Sequence, residues 1–203
     1  QRPYNRHFIF NGMNRNKKGI TLDLRSPTGV DLYKQLVKVS DIVIENYAYG
    51  VMERLGIGYE SLRQANPQII MVSLPQFGNT GPYRTYRGWG DSADAMSGHL
   101  SLRGYPDQKV ELIRSMVHTD ATSSSIIPFA VVTALYQRRR TGKGQFIDFG
   151  QCENFMPHLG EFFMDYFMNG EVASRIGNHH PVWAPHGCYP SQPDPNLPEG
   201  RND

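Results

Sequence analysis

Asp120 is the residue of this chain whose type and position point most directly to chemistry. It lies at the predicted beginning of a long apolar helix that ends near the basic residues 138–140. A carboxylate at a helix start is commonly an N-cap, which accepts hydrogen bonds from backbone N–H groups that have no partner within the helix. A carboxylate is also a nucleophile where it faces an activated carbonyl group and water is excluded. The local sequence leaves both interpretations of Asp120 open.

The hydrophobic pattern around Asp120 predicts strands that alternate with helices. Strands are predicted at residues 19–24, 41–45, 69–74 and 146–150, and helices from Ser26-Pro27, at 50–55, 59–65 and 93–97, from 120, and at 151–168. This order is typical of βαβ units, so we expect an α/β protein with a Rossmann-like open parallel sheet and flanking helices. Ligands of such sheets bind beyond the carboxyl ends of the strands. Residues 23–26, 46–48 and 73–77 are therefore predicted to lie at one edge of the sheet.

The composition argues against several classes of protein. A chain of 203 residues that is 39% hydrophobic is long enough to bury a core. Its net charge of +2 is too small to indicate nucleic acid or a membrane surface as a partner. The two cysteines, Cys152 and Cys188, show neither a disulfide framework nor a metal-ligand spacing. The sequence contains no signal peptide and no apolar run of transmembrane length, so a cytoplasmic protein is expected.

Two further motifs have ordinary structural interpretations. Residues 141–145, Thr-Gly-Lys-Gly-Gln, lack the spacing of a phosphate-binding P-loop and predict a helix C-cap followed by a turn. His179, His180 and His186 lie in a proline-rich loop, where adjacent histidines seldom converge on one metal ion. We therefore expect no metal site.

The whole segment from His118 to Asp148 shows a resemblance that Asp120 alone does not. It combines an Asp that heads a helix, a basic helix end, the turn at 141–145 and a strand. This order resembles the class III CoA-transferases, the family of formyl-CoA transferase, carnitine CoA-transferase and benzylsuccinate CoA-transferase. The resemblance extends from Phe10 to about Tyr189, and it implies that Asp120 is a catalytic nucleophile.

The same resemblance implies a binding site for coenzyme A. Residues 22–25, 45–48 and 52–56 resemble the family's CoA-contacting segments in order and spacing, and residues 87–91 lie where relatives contact pantetheine. The implied CoA-binding residues are Leu22, Arg25, Asn46, Tyr47, Ala48, Arg54 and Arg87, although the family's basic residue does not align cleanly with Arg87. Guanidinium groups bind phosphates bidentately, and Leu22 and Tyr47 offer an apolar wall for adenine.

The family pattern also implies a larger assembly. Residues 1–189 correspond to part of a large CoA-binding domain without its first strand unit, and residues 190–203 to a linker towards a small domain that is absent here. The resemblance implies a two-domain chain that is interlocked with a second copy, as a homodimer, or with a related subunit, as a heterodimer. The implied substrates are an acyl-CoA and a free carboxylic acid, with no tightly bound cofactor.

The function predicted from the resemblance is transfer of CoA through a covalent intermediate on Asp120. Backbone N–H groups near Ala121 and Thr122 are candidates to stabilise the oxyanions of that reaction. One alternative is an α-methylacyl-CoA racemase, in which the Asp moves a proton together with a His. Trp89 stands where the racemase pattern has that His, and indole does not exchange a proton near neutral pH. Another alternative is a non-catalytic subunit of a heteromeric CoA-transferase.

Overall fold

A three-stranded parallel sheet forms the centre of the computed structural model, which describes residues 6–113 and 116–189. The strands are β1 (Ile42–Glu45), β2 (Ile70–Ser73) and β3 (Phe146–Asp148), in the order β1-β2-β3. Ile44 pairs with Val72, and Val72 pairs with Ile147. All four residues of β2 are buried, as expected for a central parallel strand that is covered on both faces. The predicted strands at 41–45, 69–74 and 146–150 are thereby confirmed.

Helices flank this sheet. In chain order they are α1 (Phe8–Met13), α2 (Pro27–Lys38), α3 (Val51–Arg54), α4 (Tyr59–Ala65), α5 (Gly90–Met96), α6 (His99–Leu102), α7 (His118–Thr141), α8 (Gln151–Phe155) and α9 (Gly160–Asn169). Short 3-10 turns occur at Val110–Leu112 and Met156–Leu159. The predicted α/β class with a parallel sheet and flanking helices is confirmed.

The core lies on both faces of the sheet, because successive side chains of a strand point in opposite directions. Met71 of β2 belongs to a buried cluster with Val37 of α2 and Leu62 of α4. Val72, the next residue, packs instead with Val131 of α7. Helices α2 and α4 therefore cover one face and α7 covers the other, which places the first turn of α7 beside the carboxyl ends of the strands.

The ends of two helices agree with the sequence-based interpretation. The Ser26 hydroxyl accepts a hydrogen bond of 3.1 Å from the Gly29 N–H, and Pro27 occupies the first turn of α2. Gly142 adopts a left-handed conformation with φ of 69° after α7 and donates its N–H to the Arg138 carbonyl at 2.8 Å. Residues 141–145 are thus a C-cap and turn that lead into β3.

Two predicted elements differ from the structure. Residues 19–24 do not form a strand and are not part of the sheet in the described residues. Leu24 nevertheless packs against the core cluster that contains Val37 of α2. The predicted helix at 151–168 is interrupted by the 3-10 turn Met156–Leu159. Pro157 explains the interruption, since proline has no N–H to donate within a helix. The predicted linker at 190–203 lies outside the described residues.

The hydropathy of the helices bears on membrane insertion. In the two described ranges, no helix combines the length and the apolar character that are needed to cross a bilayer.

Candidate active site

Asp120 is the third residue of α7, and it is not the N-cap that its sequence position suggested. The helix begins at His118, and the N-cap is Val117, which has a left-handed φ of 45° and no side-chain oxygen to accept hydrogen bonds from the first N–H groups. Of the two interpretations of Asp120, the N-cap is therefore wrong, because the helix starts two residues earlier than the apolar pattern indicates. The half-buried Asp120 side chain remains available to a ligand.

The first N–H groups of α7 already have acceptors. The carboxylate of Asp94, from α5, accepts the N–H of Thr119 at 3.2 Å and that of His118 at 3.4 Å. The N–H groups of Asp120 and Ala121 both bond the Val117 carbonyl at 3.1 Å. The expectation that the Ala121 N–H stabilises an oxyanion is therefore wrong. Thr122 lies one full turn inside the helix, where its N–H bonds the preceding turn.

Asp120 lines a cavity of about 600 Å³. The other lining residues are Asn46, Tyr47, Ala48, Tyr49, Pro75, Gln76, Tyr86, Arg87, Gly88, Trp89, Gly90 and Gln151. Residues 46–49 follow β1, residues 75–76 follow β2 and Gln151 follows β3, so the cavity lies at the carboxyl edge of the sheet. This is the usual ligand position in a parallel α/β sheet.

The environment of Asp120 favours its neutral form. Burial raises the pKa of the Asp120 carboxyl above its ordinary value, and the negative charges of Asp94 and Asp91 raise it further. The ionised carboxylate is correspondingly more basic and less well solvated than a surface aspartate. A perturbed carboxyl group that lines a cavity is a candidate for catalysis.

Glycine at position 90 brings α5 against this carboxylate. A Cβ on Gly90 would overlap Asp120 Oδ2 and would stand 2.6 Å from Val117 Cγ1. The Gly90 carbonyl also accepts a hydrogen bond of 3.5 Å from the Thr119 hydroxyl. The beginning of α5 therefore contacts two consecutive residues of the first turn of α7.

A second polar cluster surrounds Asp94, whose side chain is only 1% exposed. His99 Nδ1, Arg103 Nη1 and His118 Nδ1 each lie 3.8 Å from Asp94 Oδ2. Burial lowers the pKa of His99, and the neighbouring His118 lowers it further. Asp94, His99 and His118 offer atoms within 4.8 Å of one another, a spacing that a metal ion can bridge. The Arg103 guanidinium already supplies positive charge at that carboxylate.

The carboxyl ends of the three strands are joined by a polar network. The Ser73 hydroxyl donates to Glu45 Oε1, and Glu45 Oε2 accepts the Tyr47 N–H at 2.7 Å. Asn79 Nδ2 lies 3.0 Å from both Ser73 Oγ and Asp148 Oδ1. The network fixes the loop after β1, which supplies residues 46–49 to the cavity. Glu45 lies in the predicted CoA-contacting segment 45–48 but was not itself named as a binding residue, because in sequence it is only the last residue of a strand.

Arg25 and Arg54 line a different cavity of about 480 Å³, together with Leu24, Ser26, Pro27, Val30, Asp31 and Leu55. Arg25 Nε lies 3.1 Å from Asp23 Oδ1, and the Arg25 side chain is 87% exposed. The backbone N–H and the side chain of Arg25 both hydrogen-bond to Asp23 and lower its pKa. The segment 46–55 contributes to both cavities, since Tyr49 lines the first and Arg54 the second.

The predicted site residues thus fall into two groups. Asn46, Tyr47, Ala48 and Arg87 share the cavity of Asp120, and Arg25 shares the second cavity with Arg54. Leu22 lines neither of these two cavities and is half-buried.

The three histidines of the proline-rich loop also line neither cavity. The His180 ring stacks on Trp183, with centroids 4.2 Å apart. His186 Nδ1 lies 2.9 Å from the Asn178 carbonyl oxygen.

Cys152 is a buried thiol near α5, and its Sγ lies 3.7 Å from the Ala93 carbonyl oxygen. Burial raises the pKa of the Cys152 thiol to about 11. The thiol is therefore protonated near neutral pH and is a poor nucleophile.

Comparison with known proteins identifies the family. The sequence profile described as CoA-transferase family III matches residues 1–196, and the chain belongs to this family. It is 38% identical over 177 residues to the succinyl-CoA–D-citramalate CoA-transferase of Chloroflexus aurantiacus, which covers 87% of this chain and 44% of that protein. It is 36% identical over 178 residues to the alpha subunit of succinyl-CoA–L-malate CoA-transferase from Chloroflexus aurantiacus, which covers 88% of this chain and 42% of the subunit.

The fold has a solved counterpart. The crystal structure of a CAIB/BAIF family protein from Brucella suis matches this structure with a TM-score of 0.79 and 37% identity, over 85% of this chain and 45% of that one. The chain therefore spans less than half the length of each of these three proteins.

Proposed function

We propose that this chain provides the nucleophile and the CoA-binding surface of a CoA-transferase, which moves CoA from an acyl-CoA to a free carboxylic acid. The single observation that supports this most is the position of Asp120. It is a half-buried carboxylate with a raised pKa, in a cavity at the carboxyl edge of the sheet, in a chain of CoA-transferase family III. A poorly solvated carboxylate is a suitable nucleophile for a thioester, whose carbonyl group is already activated.

The proposed first half-reaction has two steps. A carboxylate oxygen of Asp120 attacks the thioester carbonyl carbon, the C–S bond breaks, and CoA leaves as a thiolate from a mixed anhydride. The thiolate then attacks the Asp120 carbonyl carbon of that anhydride. The donor acid leaves as a carboxylate and an aspartyl-CoA thioester remains on the protein.

The second half-reaction repeats these steps in reverse. The acceptor carboxylate attacks the aspartyl-CoA carbonyl carbon and displaces CoA thiolate, which gives a new mixed anhydride. The thiolate attacks the acceptor acyl carbon, so that acceptor-CoA forms and Asp120 is restored with one oxygen from the acceptor acid. Water must be excluded throughout, because it would hydrolyse either intermediate.

The two cavities suit the two ends of an acyl-CoA. Arg25 and Arg54 place two guanidinium groups in the second cavity, where the phosphates of the nucleotide would bind. The thioester end would then reach Asp120 along residues 46–55. Tyr47 lines the cavity proposed for the thioester end and Leu22 lines neither cavity, so these two residues do not form an adenine wall in the second cavity.

A racemase is not favoured by the lining of the Asp120 cavity. Trp89 is 86% exposed and lines the cavity beside Gly90, but its indole cannot exchange a proton near neutral pH. No histidine occurs among the described residues that line this cavity. The ring of His118 instead lies at the Asp94 cluster, 4.5 Å from the His99 ring between centroids.

The partner of this chain is also a proposal. Residues 1–189 would belong to a large domain, and residues 190–203 would lead to a small domain of an interlocked homodimer or heterodimer. A relative named as an alpha subunit supports a heteromer. The exposed Phe167 and Met168 of α9, at 76% and 73% exposure, give an apolar surface for a neighbouring chain or domain. Native mass spectrometry of the full-length protein would distinguish one kind of subunit from two.

An exchange assay on the full-length protein tests the proposed activity. The protein is incubated in deuterated water with a panel of acyl-CoAs and free acids, and both the acyl-CoA products and their deuterium content are measured by mass spectrometry. CoA-transferase activity gives a new acyl-CoA without deuterium at the α-carbon. Deuterium at the α-carbon without a new acyl-CoA would instead establish the racemase.

A further inference from the structure

We propose that Asp94 is a positioning residue for Asp120: its buried carboxylate holds the first turn of α7 against α5 and so directs the Asp120 side chain into the cavity. The inference rests on the proposed role of Asp120 as the nucleophile. Asp94 lies 26 positions before Asp120 and does not line the Asp120 cavity, so it acts through the helix rather than on the substrate.

The hydrogen bonds of Asp94 replace a missing N-cap. Residue 117 is a valine, which has no side-chain oxygen, and its φ of 45° is unusual for a β-branched residue. Asp94 Oδ1 accepts the Thr119 N–H at 3.2 Å and Oδ2 accepts the His118 N–H at 3.4 Å. A carboxylate from another helix thus performs the task of an N-cap side chain, for which Asp is well suited.

The same contact fixes the distance between α5 and Asp120. Thr119 is fully buried, and its hydroxyl donates to the Gly90 carbonyl at 3.5 Å, one helical turn before Asp94. The Cα of Gly90 lies directly beside Asp120 Oδ2. Residues 90 and 94 of α5 therefore both hold the first turn of α7, and Asp120 follows directly after Thr119, which both of them bond.

The surroundings of Asp94 explain why its charge is tolerated. A carboxylate that is 1% exposed needs nearby positive charge or donors. Arg103 Nη1 lies 3.8 Å from Asp94 Oδ2 and is the permanent cation, and His99 and His118 flank the same oxygen. Other charged or titratable groups near the two carboxylates are Asp91 on α5 and the Cys152 thiol on α8, and Arg103 itself follows the last residue of α6.

Asp94 therefore has two separable effects on Asp120. Its hydrogen bonds set the position of the first turn, and its negative charge raises the pKa of Asp120. An amide at position 94 keeps an acceptor for one N–H group and removes the charge, whereas an alanine removes both. Comparison of Asp94→Asn with Asp94→Ala separates position from charge.

The test uses the full-length protein with these two variants and Asp107→Asn as a control, because Asp107 lies on an exposed loop. Amide hydrogen exchange at residues 118–121, followed by mass spectrometry, reports the position of the turn without activity. We expect much faster exchange in Asp94→Ala, a smaller change in Asp94→Asn and none in the control. If Asp94→Ala does not fold, Asp94→Asn provides the test, since it loses one of the two acceptors.

Kinetics provide the second readout. We expect Asp94→Ala to lower kcat by about 100-fold with little change in KM for acyl-CoA, because displacement of a reacting group by about 1 Å costs that much. Asp94→Asn should retain more activity, and the acid limb of its pH profile should move to lower pH, because Asp120 loses a negative neighbour. The control should leave kcat and the pH profile unchanged.

The outcomes distinguish the two proposals. Hydroxylamine trapping of the wild-type protein with acyl-CoA should give a hydroxamate at Asp120. The absence of this hydroxamate would overturn the proposed role of Asp120 as the nucleophile. An unaltered rate of amide hydrogen exchange at residues 118–121 in both Asp94 variants would overturn the positioning role of Asp94, whatever the result of hydroxylamine trapping. Normal trapping together with a wild-type kcat and pH profile in both variants would also overturn it.

Discussion

Gly90 lies directly against the carboxylate of Asp120, so closely that a Cβ at position 90 would overlap Asp120 Oδ2. Gly90 is also the first residue of α5, and the carbonyl of the same residue accepts a hydrogen bond from Thr119. Alanine would favour the helix more than glycine does. Glycine at position 90 is therefore explained by the lack of space for a side chain beside the Asp120 carboxylate.

Gly90→Ala is expected to disable the site while it preserves the fold. The methyl group would displace the Asp120 carboxylate and press on the Val117 side chain, and turnover should fall by about 100-fold, as small misplacements of reacting groups do. Steady-state kinetics and circular dichroism would measure both effects.

Gly160→Ala is the matched control for this change. Gly160 is the first residue of α9, and a Cβ there would meet nothing within 4 Å. It should leave turnover unchanged. A Gly90→Ala enzyme with wild-type turnover would show that Asp120 does not react from the position seen here.

Arg25→Ala and Arg54→Ala are expected to weaken acyl-CoA binding more than they slow turnover, because the proposed phosphate site lies in a different cavity from Asp120. Loss of a hydrogen bond to a charged group costs about 1.5–3 kcal/mol, so KM should rise by about 10- to 100-fold. Arg63→Ala is the control, since Arg63 is exposed on α4 and pairs with Glu60 at 3.6 Å. Unchanged acyl-CoA affinity in both site variants would remove these residues from the CoA site.

Glu45→Ala is expected to destabilise the protein and to loosen the cavity wall. The change removes the acceptor of the Ser73 hydroxyl and of the Tyr47 N–H, at a residue that is 9% exposed. Buried donors without partners should lower the free energy of unfolding by about 1–3 kcal/mol. Urea unfolding would measure this, with the exposed Glu111→Ala as the control. Equal stability of the two variants would contradict a structural role for the network.

The raised pKa of Asp120 predicts opposite effects on activity and on stability. Ionised Asp120 is the nucleophile, so activity should fall with decreasing pH already above the ordinary range of an aspartate. A folded-state pKa above the unfolded value means that Asp120 stabilises the fold when it is protonated. This contribution is lost as the pH rises through the folded pKa.

Asp120→Asn should therefore raise the melting temperature at neutral pH while it abolishes transfer. The difference from wild type should shrink as the pH falls through the folded pKa of Asp120. Scanning calorimetry at several pH values measures it. A melting temperature of Asp120→Asn below that of wild type at neutral pH would show that the ionised Asp120 carboxylate does not destabilise the folded protein.

Local patterns were sufficient to predict much of the sheet and several of its helices. The apolar runs of β1 and β2 and the Ser26-Pro27 helix start are readable because their signals lie within a few residues. The strand predicted at 19–24 shows the limit of this approach, since alternation does not reveal whether a neighbouring strand exists.

The site was less accessible to sequence reasoning. A local pattern and a family resemblance were sufficient to identify Asp120 as a site residue. They were not sufficient to predict that α7 starts at His118. Asp94 and Thr119 are 25 positions apart, and no periodicity connects an acceptor on one short helix with an N–H group on another. The contact of Gly90 with Asp120 likewise exists only in three dimensions.

The covalent role of Asp120 is tested most directly by following the oxygen atoms of the acceptor acid. The full-length protein turns over an acyl-CoA and an acceptor acid whose carboxylate carries ¹⁸O, and the peptide that contains residue 120 is then analysed by mass spectrometry. In the proposed chemistry the acceptor carboxylate attacks aspartyl-CoA, and the oxygen that bridges the anhydride stays on Asp120 when acceptor-CoA leaves. We predict ¹⁸O in the Asp120 side chain after turnover. Sustained formation of acceptor-CoA with Asp120 free of label would contradict a covalent role for this residue.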